Sequence, residues 1–170
     1  RKKKELNTNL EQIILRNLLT DESFMRKVLP FIKPDYFEGV YRILFKEAGK
    51  FVGKYNKLPT IESFKIEVDQ SDNFSKEHYK HAIEILPNLF SKEKIDEKWL
   101  LDSTEKWCQD RAVYNAIMES IQIIDGKHST LTKGALPNIL QKALGVCFDA
   151  NVGQIGRAHV WTPVTDVSRM

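Results

Sequence analysis

Apolar residues recur at spacings of three and four along most of the chain, the signature of amphipathic helices. Leu10, Ile13, Ile14 and Leu18 mark a first helix, with Asn7 or Thr8 as its expected N-cap. Asp21 can cap a second through Phe24, Val28 and Leu29. Pro30 and Pro34 then stop it, because proline lacks the N–H of the helical ladder and pushes the residue before it out of the α region. Tyr36, Phe37, Val40, Ile43, Leu44, Ala48, Phe51 and Val52 continue at helical spacing up to Gly53, where an interruption is expected. After the connection Lys57-Leu58-Pro59, Thr60 is the expected N-cap of a helix carrying Ile61, Phe64 and Val68, and Ser75 opens another bearing Tyr79, Ile83 and Leu86. No segment alternates apolar and polar residues over five or more positions as a strand would. The predicted fold class is all-α: a helical bundle over residues 8–92, then a long αα-hairpin over 95–148.

The hairpin rests on a change of period. Leu100, Trp107, Tyr114 and Ile121 repeat every seven residues, with Thr104, Arg111 and Met118 at the +4 positions and Ile117 and Ile124 at +3. Such a repeat draws one continuous seam along a helix. Running from Asp96 or Lys98 to Asp125, that helix would extend roughly 40 Å at 1.5 Å per residue. Asp125-Gly126 ends it, Lys127 to Gly134 form the turn, and Pro137 fits the first turn of a returning helix with Leu136, Ile139, Leu140, Ala143, Leu144 and Cys147. Two uses of the seam stand open: both arms pack onto the body, or the hairpin makes an intermolecular contact.

Composition narrows the function classes. The chain has 170 residues, 42% hydrophobic and 29% charged, with mean hydropathy −0.39, which fits a globular domain rather than a disordered chain. No apolar run approaches the roughly 20 residues that cross a bilayer, so no membrane partner is expected. Arg1-Lys2-Lys3-Lys4 precedes polar Glu5 and Asn7 rather than the apolar stretch of a secretory signal. Residues 1–7 read as a basic, disordered tail that could touch phosphates, be merely solvated, or be a vector remnant. The net charge of +3 depends on the two ends, because residues 5–154 hold 20 basic against 22 acidic residues. A body of charge −2 argues against nucleic-acid binding.

Catalytic signatures are missing. No GxxxxGK[ST], GxSxG, HExxH, GxGxxG or EF-hand loop occurs, and Gly53-Lys54 is followed by Tyr55, so it reads as a helix end. Cys108 and Cys147 lack a CxxC partner and the histidines fall at no zinc spacing; both cysteines read as buried apolar side chains of a reduced, intracellular protein. His78 and His81 share a helix face and could hold a metal with Glu77 or Glu84, but surface histidines on a charged helix are the favoured reading. Trp99, Trp107 and Tyr114 could stack on bases, yet their placement favours packing or an interface. No catalytic, metal or cofactor residue is assigned.

The last 16 residues, Ile155 to Met170, show no periodicity and resemble a translated sequencing-library adapter. The adapter frame gives Ile155-Gly156-Arg157-Ala158-His159-Val160, a TGA codon at Trp161, and Thr162-Pro163-Val164-Thr165; an index and the adapter's continuation give Asp166-Val167-Ser168-Arg169-Met170. The segment is excluded from fold and function, as a fusion scar would be.

Residues from about Leu10 to Gly153 resemble the N-terminal domain of the DnaB-type replicative helicases of T-even-like phages. The resemblance is carried by Leu10-Glu11-Gln12-Ile13-Ile14-Leu15, by Asp35-Tyr36-Phe37, by Leu58-Pro59-Thr60-Ile61, and most specifically by Thr104-Glu105-Lys106-Trp107-Cys108-Gln109-Asp110-Arg111-Ala112-Val113-Tyr114-Asn115-Ala116. Ile139 to Asp149 resembles the returning arm and the start of a linker over 149–154. What the resemblance implies is a helical collar that pairs subunits through its hairpins within a ring, hexameric in the family, joined to a C-terminal ATPase absent from this chain. That missing domain would hold ATP and Mg²⁺ and contact single-stranded DNA, whereas no cofactor is expected in this stretch and the chain itself would not be catalytic. Primase and helicase loader are the further partners implied, in the host-cell cytoplasm. The seam fits a pairing role, which selects Leu100, Trp107, Tyr114, Met118 and Ile121 on one arm and Ile139, Leu140 and Leu144 on the other as the subunit interface. On this reading Trp107→Ala weakens self-association without unfolding the body. The competing classes are a free-standing helical adaptor or loader-like replication accessory, and a nucleic-acid-binding helical domain.

Overall fold

The structure, a computed structural model, describes residues 2–148, with side chains from Leu10 onward. Arg1, the linker expected at 149–154 and the adapter-like segment 155–170 lie outside the described residues. Seven α-helices and three short 3-10 turns make up the regular structure, and no strand occurs among the described residues. Two compact units meet between Thr104 and Glu105, within the sixth helix.

In the first unit, α1 (Lys2–Thr20) packs against α2 (Glu22–Val28), α3 (Gly39–Tyr55) and α5 (Lys76–Leu89), while α4 (Ile61–Gln70) lies on α3 and α5. Predicted periodic positions supply much of the core: Ile14 and Leu18 from α1, Phe24 and Val28 from α2, Leu44 and Ala48 from α3, Phe64 and Val68 from α4, and Leu86 from α5 are all buried, and Leu15, outside the predicted stripe, joins them. Phe37, fully buried ahead of α3, stacks on Phe45 with ring centroids 4.9 Å apart. Three expected caps are in place. The carboxylate of Asp21 accepts from the Phe24 N–H at 3.1 Å, and Ser75 accepts from the His78 N–H at 3.1 Å. Thr60 and Ser63 cap reciprocally, each hydroxyl accepting the other's backbone N–H, so two orphan donors of the first turn are satisfied.

Two boundaries differ from expectation. Helix α1 begins at Lys2, through the stretch read as a tail and past the proposed cap at Asn7 or Thr8; lysine, glutamate and leucine are good helix formers that extend a helix wherever nothing breaks it. Gly53 does not interrupt α3, which continues to Tyr55 and ends at Asn56 in the left-handed conformation, φ 53°. One glycine costs a helix only about 1 kcal/mol, and asparagine tolerates the αL cap that closes it.

A buried polar knot was not foreseen. Glu47, only 5% exposed on α3, accepts hydrogen bonds from the Ser71 hydroxyl at 2.9 Å, the Asn73 amide at 3.1 Å and the Lys50 ammonium at 3.2 Å. It ties the α4–α5 connection to α3. Glu47→Ala strands these donors and opens a gap, so a stability loss of about 2–3 kcal/mol is expected from urea unfolding; a loss below about 0.5 kcal/mol contradicts the role.

The second unit holds α6 from Glu105 onward and α7 (Leu136–Leu144); α6 as a whole spans Glu97–Ile124, within two residues of its predicted limits. Gly126 follows it at φ +71°, which favours glycine, and Pro137 occupies the first turn of α7 as expected. Side chains tie the returning chain to α6. The Phe148 N–H donates to Glu105 at 2.7 Å and the Gln109 amide to the Val146 carbonyl at 3.0 Å. Near the turn, Nδ1 of His128 accepts from the Leu131 N–H at 3.1 Å while Nε2 lies 3.3 Å from the Glu119 carboxylate. Because Nδ1 is an acceptor, Nε2 carries the proton of the neutral ring and donates it to Glu119.

Candidate interaction surface

The heptad seam of α6 changes character halfway along. Leu100 and Trp107 are each 3% exposed, with Thr104 and Cys108 fully buried beside them on the helix. Beyond Arg111 the buried positions become Ala112, Ala116, Ser120 and Ile123, mostly small. The large apolar residues of this half, Tyr114, Ile117, Met118, Ile121 and Ile124, are exposed by between 42% and 57%. Spaced at three and four residues, they share one face. Arg111 spreads its guanidinium over the Tyr114 ring, 4.9 Å from its centroid, and so covers part of the stripe's near end. On α7, Ala143 is buried and Ile139 half-buried, while Leu140 is 38% and Leu144 74% exposed.

The eight residues proposed for a subunit interface therefore separate. Tyr114, Met118, Ile121, Leu140 and Leu144 offer apolar surface to a second molecule; Ile139 offers part of its side chain; Leu100 and Trp107 offer almost none, because this chain already buries them. Trp107 is buried in the single chain, so truncating it removes packed volume there. Ile117 and Ile124, noted in the repeat but left out of the interface, belong to the exposed face. Single exposed apolar residues are ordinary, but five along three turns of one helix form the kind of contiguous patch that marks an interaction site.

Other candidates find different settings. Trp99 is exposed near the start of α6. His81 is exposed, its ring edge-on to Tyr41 at 6.3 Å, and no group of three metal-ligating side chains occurs among the described residues. Burial pushes the Cys108 thiol up to about 12, with the Glu105 carboxylate adding to the effect. A thiol that stays protonated through neutral pH is a poor nucleophile. Iodoacetamide at pH 8 is expected to label the half-buried Cys147 first and Cys108 only after unfolding, as read by peptide mass spectrometry. Equal rates at both would contradict the packing of α6. No helix among the described residues is long and apolar enough to cross a membrane.

No family model matches the chain. It is similar to a DnaB-like replicative helicase of Enterobacteria phage T4, 30% identical over 159 residues that cover 88% of this chain and 32% of that protein. The chain spans about a third of the length of the curated relative it matches. That likeness supports a relationship to the DnaB-like replicative helicases.

Proposed function

We propose that this chain is the helical collar of a phage replicative DNA helicase, the part through which subunits pair within a ring and on which primase docks. The observation that carries the pairing role is the exposed apolar stripe from Tyr114 to Ile124, which water covers at a cost that a second copy would relieve. Leu140 and Leu144 extend the apolar surface available on α7. The likeness to a T4 replicative helicase supports the choice of parent activity. On this reading ATP, Mg²⁺ and single-stranded DNA are handled by a separate ATPase domain, and the helicase loader meets the assembled collar. The chain's own task is mechanical: it holds neighbouring motors at a fixed distance and orientation, which needs a rigid helical surface and no reactive group. Light scattering across a wide concentration range tests the pairing, with a mass that rises to that of a dimer or larger assembly expected. A strictly monomeric chain at the highest concentration would overturn it.

A further inference from the structure

The turn between α6 and α7 has almost nothing apolar to hold it. From Ile124 to Gly134 every residue is exposed except His128, which is half-buried, and residues 128–131 form no backbone–backbone hydrogen bond among the described residues. Both flanks are closed independently. The Gly126 N–H donates to the Ile123 carbonyl at 3.1 Å and the Lys127 N–H to the Gln122 carbonyl at 2.9 Å, the paired bonds that end a helix on a left-handed glycine. On the far side the Ala135 N–H donates to the Thr132 carbonyl at 2.9 Å.

One imidazole orders the stretch between. Nδ1 of His128 accepts from two backbone donors, the Thr130 N–H at 3.3 Å and the Leu131 N–H at 3.1 Å, while Nε2 lies 3.3 Å from the Glu119 carboxylate. Only the neutral ring can accept in this way, since an imidazolium carries a proton on each nitrogen and keeps no lone pair. A proton taken from water onto Nδ1 would point at the two N–H groups. The opposite edge gains by the same step, because an imidazolium holds the Glu119 carboxylate more strongly than a neutral ring does. Glu119 is the carboxylate that faces His128 from α6. The other charged groups of the turn and its flanks, Asp125, Lys127 and Lys133, form no ion pair among the described residues, and α7 carries only Lys142, in its last turn.

We propose that His128 is a proton-operated clasp for this turn: neutral, it holds Thr130 and Leu131 in place; charged, it releases them and stays with Glu119. The turn then has an ordered form above the pH range in which imidazoles take up a proton and a loose one below it, with α6 and α7 themselves unchanged.

Amide NMR of the full chain, titrated from pH 8 to pH 5, tests this. Expected are movements of the Thr130 and Leu131 amide protons to higher field that follow the His128 ring resonances along one curve, and backbone order parameters at 129–131 that fall from about 0.85 to below about 0.6. The Lys127 and Ala135 amides, which donate to carbonyls, are expected to stay in place. In E119Q the carboxylate that favours the charged ring is gone, so the same movement is expected only in more acid solution. In H128A the two amides are expected at their released positions throughout. Titration of the ring without movement of the Thr130 and Leu131 amides would overturn the clasp, as would an unchanged pH response in either variant. Loosening that spreads into α6 and α7 would also overturn it, because the responding element would then be more than the turn.

Discussion

Replacing Ile117 and Ile121 together with aspartate is expected to weaken self-association at least about a hundredfold, roughly 2.8 kcal/mol, while leaving the melting temperature of the single chain almost unchanged. Both side chains are more than 40% exposed and lie on the same face of α6, so a carboxylate at either position stays hydrated in the monomer. In a helix-pairing interface the same carboxylates would be stripped of water with no cation opposite, which costs several kcal/mol apiece. Sedimentation equilibrium reads the first effect and a thermal melt the second. A mass unchanged in the double variant would remove this face from any pairing surface, and a collapsed melt would show that the stripe is packed within the chain.

Trp107→Ala is expected to do the opposite: lower stability by about 3–5 kcal/mol, the usual cost of deleting a buried aromatic side chain. At 3% exposure Trp107 contributes almost its whole indole to packing within the monomer. Urea unfolding followed by far-UV circular dichroism measures the loss. Any accompanying fall in mass at low concentration would follow from unfolding and should disappear under conditions where the variant is fully folded. A variant as stable as the parent would contradict the packing of Trp107 within the single chain.

These two substitutions mark where the sequence stopped being readable. Helical period, the caps at Asp21, Thr60 and Ser75, and the stop at Asp125-Gly126 are local features, written in residues within a turn or two of where they act, and the structure bears them out. A heptad repeat, by contrast, says that one face is apolar without saying what covers it. Leu100 and Tyr114 occupy equivalent positions in the repeat, yet one is buried and the other half in water. The signal that could have separated them is residue size on the opposite side, where Ala112, Ala116 and Ser120 replace the larger buried residues of the first half. The Glu47 knot was out of reach for another reason. It gathers residues more than 20 positions apart, Glu47 with Ser71 and Asn73, and polar residues so far apart carry no periodic trace of meeting.

The placement of the apolar stripe beyond Thr104 also orders events during synthesis. The first unit is complete in sequence at Thr104, whereas Tyr114 to Ile124 are made afterwards. At about 5–20 residues per second, the ribosome needs on the order of one to four seconds to add the 20 residues from Glu105 to Ile124. A small helical unit rich in local contacts folds in microseconds to milliseconds. Nascent neighbours on one message therefore present their adhesive helix only after the body behind it has closed, which keeps half-made chains from sticking to one another through an unfinished core.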